Sequence, residues 1–341
     1  MIKPLKLAHK PTPIERLDKT LYGMTVHIKR DDLTGLEASG NKIRKLEYLL
    51  SDAQNKKCDV IITCGGIQSN HVRTTMYCCA KLGLKRVAIL KSQNKSVGQG
   101  FSLANHSSKP EGLPYKLNGE VPNGNLLLDY LFNADVHLLS SSEYDKKEEY
   151  VNTLLNDFQK KGHNPYFIPT GGSNGIGALG YLNAMEEMTS YIKLQGIDSI
   201  FCAVGSGGTY AGLLMGKYIF GLDMPIYGVL VDETVAYFLT KIKLIISESE
   251  KILEREFAIN DYDIKLVDGY VGPGYAIPYQ EEIDAIKQLA RKGLILDPVY
   301  TGKTFYGMLK EKEHLAYSNP LFIHTGGIFS IFAYNRELTT N

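Results

Sequence analysis

Short apolar runs alternate with longer stretches of helical periodicity along this 341-residue chain. The run VIITC at 60–64 precedes SNHVRTTMYCCAKLG, which ends at Gly83, and RVAIL follows at 86–90. That pattern predicts a strand, a helix closed by a C-terminal glycine, and a second strand. Further runs stand at DVHLL (135–139), YFIP (166–169), SIFCAV (199–204), PIYGVLV (225–231) and PLFIH (320–324), spaced by helix-length segments. They are apolar at most positions rather than at alternate ones, which suits strands covered on both faces. The predicted class is α/β, with parallel-rich open sheets flanked by helices. The chain also exceeds the roughly 250–300 residues beyond which single cores tend to split, so two lobes are expected.

Two segments break the alternation. The stretch 92–125, SQNKSVGQGFSLANHSSKPEGLPYKLNGEVPNGN, is polar and rich in Gly, Asn, Ser and Pro, and reads as a long surface excursion. DKKEEYVNTLLNDFQKKG (145–162) predicts an amphipathic helix with Tyr150, Leu154, Leu155 and Phe158 inward, its charges a solvated face at a lobe boundary.

Composition narrows the function classes. With 38 basic against 37 acidic side chains the net charge is +1, which supplies neither a basic field for nucleic acid or membrane nor an acidic tail. No run reaches the roughly 18 apolar residues of a membrane span, and MIKPLKLAHKPTPIERL lacks the apolar core of a signal peptide. A soluble, cytoplasmic protein is expected. Cys58, Cys64, Cys78, Cys79 and Cys202 are odd in number and sit in or beside apolar runs, as buried hydrophobes of a reducing compartment do. With no CxxC and no HExxH, no metal site is expected.

Three motifs offer chemistry and are weighed against their requirements. GIGALG (175–180) matches a dinucleotide fingerprint, but the next strand, SIFCAV, ends without the acidic residue such a site needs. TGKT (301–304) resembles the end of a phosphate loop, yet the required first glycine falls at Asp297. GGSNG (171–175) matches the nucleophile elbow of an α/β hydrolase, with Ser173 as nucleophile and His314 or His324 downstream as base. That reading stays open beside a plain glycine-rich turn.

VGSGGTYAG (204–212) follows the strand SIFCAV and opens the helix YAGLLMGKYIFG. Its glycines let backbone N–H groups converge, Ser206 and Thr209 add hydroxyls, and the helix N-terminus favours an anion. A phosphate monoester is the natural guest. A lysine on a helix completes the requirements of pyridoxal phosphate, whose aldehyde condenses with an amine. In ASGNKIRKLEYLL (38–50), Ile43, Leu46, Leu50 and Ala53 make one face, while Lys42 and Lys45 are neighbours at i, i+3 on another. Each charge disfavours the other's protonation, and burial depresses both pKa values. Lys42 is expected to be the nucleophile and Lys45 a fixed charge near the phosphate.

SGNKIRKLEYLL, CGGIQSNHVRTT, IPTGGSNGIGALGY, AVGSGGTYAGL, GYVGPGYAIP, DPVYTGKTFYGML and FIHTGG occur in that order between about Asp31 and Gly327. Together they resemble the motifs of the 1-aminocyclopropane-1-carboxylate (ACC) deaminase / D-cysteine desulfhydrase family, pyridoxal-phosphate enzymes of the tryptophan-synthase-β-like fold (type II). The resemblance implies a large cofactor-binding domain from 1–46 and 162–341, a small domain from 47–161, and a homodimer. It implies Lys42 as the Schiff-base lysine, with Lys45 and Gly205, Ser206, Gly207, Gly208 and Thr209 on the phosphate. Asn70 would hydrogen-bond the cofactor's ring hydroxyl, and Ser69 with the backbone of Asn70 and His71 would hold the substrate carboxylate. Ser69 as a plain helix N-cap fits the same turn. Tyr275 and Tyr300 match active-site tyrosines.

Two positions separate the branches. Deaminase-like members carry Glu in DPVYEGK and Leu in HLGG, whereas this chain has Thr301 and Thr325. A glutamate at the pyridine nitrogen keeps the ring a strong electron sink; a threonine hydroxyl does so less, which suffices when a good leaving group departs from Cβ. The resemblance therefore points to conversion of D-cysteine and water to pyruvate, sulfide and ammonia, with Lys42 taking the Cα proton. ACC deamination, and elimination from L-cysteate, D-serine or β-chloro-D-alanine, are its alternatives.

Overall fold

The computed structural model describes residues 2–17, 23–92 and 121–339. The first half of the chain runs through β1 (Ile14–Arg16), β2 (His27–Arg30), α1 (Lys42–Asn55), β3 (Val60–Gly66), α2 (Asn70–Lys81), β4 (Lys85–Lys91), α3 (Gly124–Leu131), β5 (Asp135–Leu139), α4 (Ser141–Tyr144), α5 (Lys147–Lys160) and β6 (Pro165–Ile168). The second half continues with α6 (Gly175–Gln195), β7 (Ser199–Val204), α7 (Gly208–Ile219), β8 (Ile226–Leu230), α8 (Val235–Leu253), β9 (Lys265–Val267), α9 (Gln280–Ala290), α10 (Thr301–Lys310), α11 (Lys312–Leu315), β10 (Pro320–His324) and α12 (Asn335–Thr339).

The apolar runs are the strands of two sheets. One has four parallel strands in the order β5-β4-β3-β6; the other has six, β1-β2-β10-β7-β8-β9, parallel except where β1 meets β2. Both are covered by helices, which explains the uninterrupted hydrophobicity of β3, β7 and β10. In such sheets ligands gather at the carboxyl ends of the strands. The loops after β3, β7 and β8 converge there.

One expected boundary needs revision. The expectation starts the second segment of the large domain at residue 162, yet β6 pairs in parallel with β3 from Val60↔Pro165 to Thr63↔Ile168 and so belongs to the four-stranded sheet. Its apolar residues report burial but not which sheet buries them. The polar excursion falls largely on residues 93–120, outside the described residues, while its last two residues begin α3. The helix of α5 lies where the periodicity places it, with Val151 and Leu154 as its buried residues and Tyr150, Leu155 and Phe158 packed at the margin.

The charge run before α1 is not a solvated surface. Asp31 and Arg44 are both fully buried, with Arg44 Nε and Nη2 each donating to the carboxylate at 2.8 Å. Arg44 Nη1 also donates to Glu187 at 2.8 Å, Lys29 Nζ reaches Glu187 at 3.1 Å, and the Tyr181 hydroxyl donates to Asp31 at 2.5 Å. Burial alone would raise the pKa of Asp31, but the charge and hydrogen bonds of Arg44 outweigh it and hold the carboxyl below its ordinary value. This network ties β2, α1 and α6 together. It also leaves α1 buried on nearly every side, from Ile43 to Ala53.

Candidate active site

The turn before Lys42 is built by close approach. Gly40 has φ +111, and a Cβ there would meet the Thr325 carbonyl oxygen at 2.8 Å. The N–H of Asn41 donates to that same carbonyl at 3.0 Å, which docks the start of α1 against the end of β10. Asn41 Nδ2 donates to Thr209 Oγ1 at 3.0 Å, so the residue beside Lys42 is pinned to the glycine loop.

A cavity of about 700 Å³ opens where these segments meet. Its walls include Lys42, Ser69, Asn70, His71, Tyr275 and Tyr300. Gly205, Ser206, Gly207, Thr209, Thr325 and Ser173 complete the inner part. Burial depresses the pKa of Lys42 to about 8, against the opposing pull of the Asp297 carboxylate. Lys45 is fully buried and held well below its ordinary value, by burial first and by Lys42 second. Mutual repulsion therefore registers on Lys45, whereas on Lys42 burial is the dominant cause. Among the described residues the Lys45 Nζ donates to the Gly171 carbonyl at 3.2 Å and to Ser173 Oγ at 3.0 Å and meets no carboxylate, so a fixed charge there calls for an anion.

The glycine loop is shaped to be filled. Gly207, with φ +82, is the N-cap of α7 and offers its first turn no side chain, so of the first N–H groups that of Gly208 turns to Ser173 Oγ at 3.3 Å. A Cβ on Gly208 would lie 2.7 Å from Ser173 Oγ and 2.9 Å from Lys45 Nζ. A helix N-terminus without a side-chain cap, a cradle that a methyl group would fill, and a buried lysine amine with no carboxylate partner among the described residues fit a phosphate ester. Lys42 with its lowered pKa fits the aldehyde. The phosphate and the aldehyde of pyridoxal phosphate thus each have residues suited to hold them.

Ser173 is not a hydrolase nucleophile. Its hydroxyl lies 2.8 Å from Ser206 Oγ and accepts from Lys45 Nζ and from the Gly208 N–H at 3.3 Å. His324 Nε2 is instead paired with the Ile295 carbonyl at 2.9 Å, and His314 lies on the short exposed α11. The elbow pattern arose because GGSNG forms the floor of the phosphate cradle.

Ser69 is both cavity wall and N-cap of α2, accepting from the Val72 N–H at 3.3 Å. His71 sits just behind, its Nε2 2.8 Å from Thr63 Oγ1. The Thr63 hydroxyl gives its proton to the Ile168 carbonyl at 2.8 Å, so His71 Nε2 is the donor. Burial, then Lys42 and Lys45, keep its pKa well below the ordinary value.

The hydroxyls of Tyr275 and Tyr300 meet at 2.5 Å, and Lys42 Nζ stands 5.8 Å from the Tyr300 ring centre. Tyr275 is 38% exposed where it lines the cavity, and its hydroxyl is paired with that of Tyr300. Burial pushes the Tyr275 hydroxyl up to about 12 and the Tyr300 hydroxyl well above its ordinary value, so both are phenols at neutral pH.

The two threonines part company. Thr325 lines the cavity. Thr301 is not among the lining residues: its hydroxyl donates to Asp297 Oδ1 at 2.6 Å and accepts from the Asp297 N–H at 2.7 Å. Asp297 also takes the N–H groups of Val299, Tyr300 and Thr301, capping the start of α10. Asp297, Asn41 and Arg44 were not singled out as site residues; Asp297 and Arg44 act through partners distant in sequence or by capping, and carry no motif of their own.

Known proteins bear on this arrangement. A family model described as pyridoxal-phosphate dependent enzyme matches residues 5–326. A Thermotoga maritima protein, provisionally named 1-aminocyclopropane-1-carboxylate deaminase, is 44% identical over 98% of this chain and 99% of its own. A D-cysteine desulfhydrase of Salmonella paratyphi C is 36% identical over 97% of this chain and 96% of its own. A crystal structure of an ACC deaminase homologue superposes with a TM-score of 0.85 at 34% identity, covering 98% of this chain and 95% of that one. The cradle, the buried lysine pair and these likenesses agree, and the chain belongs to the pyridoxal-phosphate dependent enzyme family.

Proposed function

We propose that the protein is a carbon–sulfur lyase that converts D-cysteine and water to pyruvate, hydrogen sulfide and ammonia. The observation that carries this reading is Thr301, a neutral residue where the deaminase-like motif has glutamate, with its one proton committed to Asp297. A site without that carboxylate suits departure of a thiolate from Cβ better than the opening of a cyclopropane ring.

Pyridoxal phosphate, held covalently at Lys42 with its phosphate on Lys45 and the Gly205–Thr209 loop, supplies an electron sink for charge developing at the substrate Cα. The protein's residues do the rest. Ser69 Oγ and the N–H groups of Asn70 and His71 at the start of α2 receive the substrate carboxylate. Lys42, with its pKa near 8, exchanges a proton close to neutral pH and takes the one on Cα. The tyrosine pair, protonated at neutral pH, is a poor base but a competent donor to the departing sulfur. Thr325, which lines the cavity, would offer its hydroxyl to the ring nitrogen.

A second reading, ACC deamination to 2-oxobutanoate and ammonia, is favoured by the name of the Thermotoga relative and by a bifunctional Arabidopsis thaliana relative, named for both activities, at 36% identity over 96% of this chain and 78% of its own. Purified protein offered D-cysteine, L-cysteine, L-cysteate, D-serine and ACC, with sulfide, sulfite and 2-oxo acid measured, decides between them. Sulfide from D-cysteine with no 2-oxobutanoate from ACC is expected; the reverse overturns the proposal. Lys42→Ala should lose cofactor absorbance and turnover together. A homodimer is proposed from the family resemblance alone, to be checked by light scattering.

A further inference from the structure

Asn70 lines the cavity at the start of α2, and one end of its amide is fixed from behind. Its Oδ1 accepts from Asn125 Nδ2, on α3, at 2.8 Å. Asn125 is itself fully committed. The second hydrogen of Nδ2 goes to the Gln68 carbonyl at 2.9 Å, the backbone N–H goes to Gln68 Oε1 at 2.9 Å, and Oδ1 accepts from Arg73 Nε at 3.2 Å. Turning the Asn125 amide over would set its NH₂ against a guanidinium and its oxygen against two carbonyl oxygens. Arg73 therefore fixes the sense of Asn125, and Asn125 fixes the sense of Asn70. With Oδ1 held, the NH₂ end of Asn70 is the end left for the cavity.

The head of this row is a buried cation. Arg73 and Asn125 are fully buried, and the other guanidinium donors go to the backbone carbonyls of Glu37 and, at 2.8 Å, Ser39. Burial lowers the pKa of Arg73 to about 10, which leaves it charged at neutral pH. Asp129, whose field reaches Arg73, has its pKa pushed well up by burial. The guanidinium hydrogen bonds go to amide and carbonyl dipoles, and hydrogen bonds in a row polarise one another in such surroundings.

We propose that Asn125 is a positioning residue for the cofactor: it relays the donor sense of Arg73 to Asn70, which then presents an N–H, strengthened by the buried cation, to an acceptor oxygen on the bound pyridoxal ring. The proposal rests on Asn70 serving the ring hydroxyl and is independent of which amino acid is the substrate.

The test uses the reconstituted holoenzyme without substrate. Two quantities are read: the cofactor dissociation constant, and the ratio of the absorption bands of the ionised and protonated ring hydroxyl. Asn125→Asp keeps an acceptor for Arg73 but cannot donate to Asn70. It should weaken cofactor binding about tenfold and move the ratio toward the protonated form, because a hydrogen bond to a charged group is worth at least that factor. Asn125→Leu should act in the same direction, and thermal unfolding of each apo-protein confirms the fold. In an Asn70→Ala background, Asn125→Asp should add nothing. If Asn125 merely satisfied Arg73, Asn125→Asp would match the wild type, which overturns the relay. An Asn125→Asp effect undiminished in the Asn70→Ala background also overturns it. If Asn70→Ala itself leaves both readouts unchanged, Asn70 does not serve the ring and the reading beneath the proposal falls.

Discussion

Replacing Lys42 with methionine should make the apo-protein more stable, and by an amount that depends on pH. The side chain is mostly buried, and its protonated form is disfavoured there, which lowers its pKa from 10.5 to about 8. At about 1.4 kcal/mol per pH unit, the native state is penalised at neutral pH by at most about 3 kcal/mol, a ceiling because the cavity admits some solvent. The sign follows from proton counting. Below pH about 8 both folded and unfolded chains carry the proton and the penalty is constant. From there to 10.5 only the unfolded chain holds it, so wild-type stability rises with pH and the penalty fades. Methionine has nearly the same length and no charge. Urea unfolding of both apo-proteins should therefore show a gap of up to about 3 kcal/mol near pH 7 that narrows to about 1 kcal/mol near pH 10. A gap that does not narrow refutes the reasoning, as does a variant less stable than the wild type near pH 7. The same variant cannot bind the cofactor covalently, so the experiment measures what the wild-type fold forgoes to keep a reactive amine.

Gly208→Ala places a methyl group 2.7 Å from Ser173 Oγ and 2.9 Å from Lys45 Nζ, and should weaken cofactor binding by about tenfold or more in a fluorescence titration, with little change in melting temperature. Tyr300→Phe removes the 2.5 Å contact with Tyr275 and should lower kcat by about 10²-fold with a smaller effect on KM, measured with whichever amino acid proves to be the substrate. Asp31→Asn strips the carboxylate from the fully buried Arg44 and should cost about 3–5 kcal/mol in urea unfolding. In the wild type, where the carboxyl is held below its ordinary value, that stabilisation is present above pH about 4 and is lost as pH falls further.

How far the sequence could be read depended on whether a residue's partner was local. β7 and β10 lie on the apolar runs residue for residue, because strands covered on both faces need hydrophobic side chains at every position and so announce themselves. β2 does not: its sequence is His-Ile-Lys-Arg, and its burial is met by partners with no trace in the strand itself, the Thr12 carbonyl and Glu187 on α6 for Lys29, Tyr191 and Asn319 for His27. The same distinction runs through the cavity. Lys42 and the glycine loop were legible because a helix stripe and a strand-glycine-helix succession each fit in a dozen residues. Thr301 was read as a partner of the ring, but whether its hydroxyl faces the cavity depends on Asp297 four residues earlier, where cap geometry rather than residue identity decides. Arg44, between the two lysines in KIRK, looks like a third surface cation until Asp31 and Glu187 are seen on either side. That arginine also answers why a charge run should precede this helix: Asp31 fixes Arg44, Arg44 fixes α1, and α1 carries Lys42 and Lys45 to the cavity at neighbouring positions. The chemistry of the lysines is local, but their placement is held by residues more than a hundred positions away.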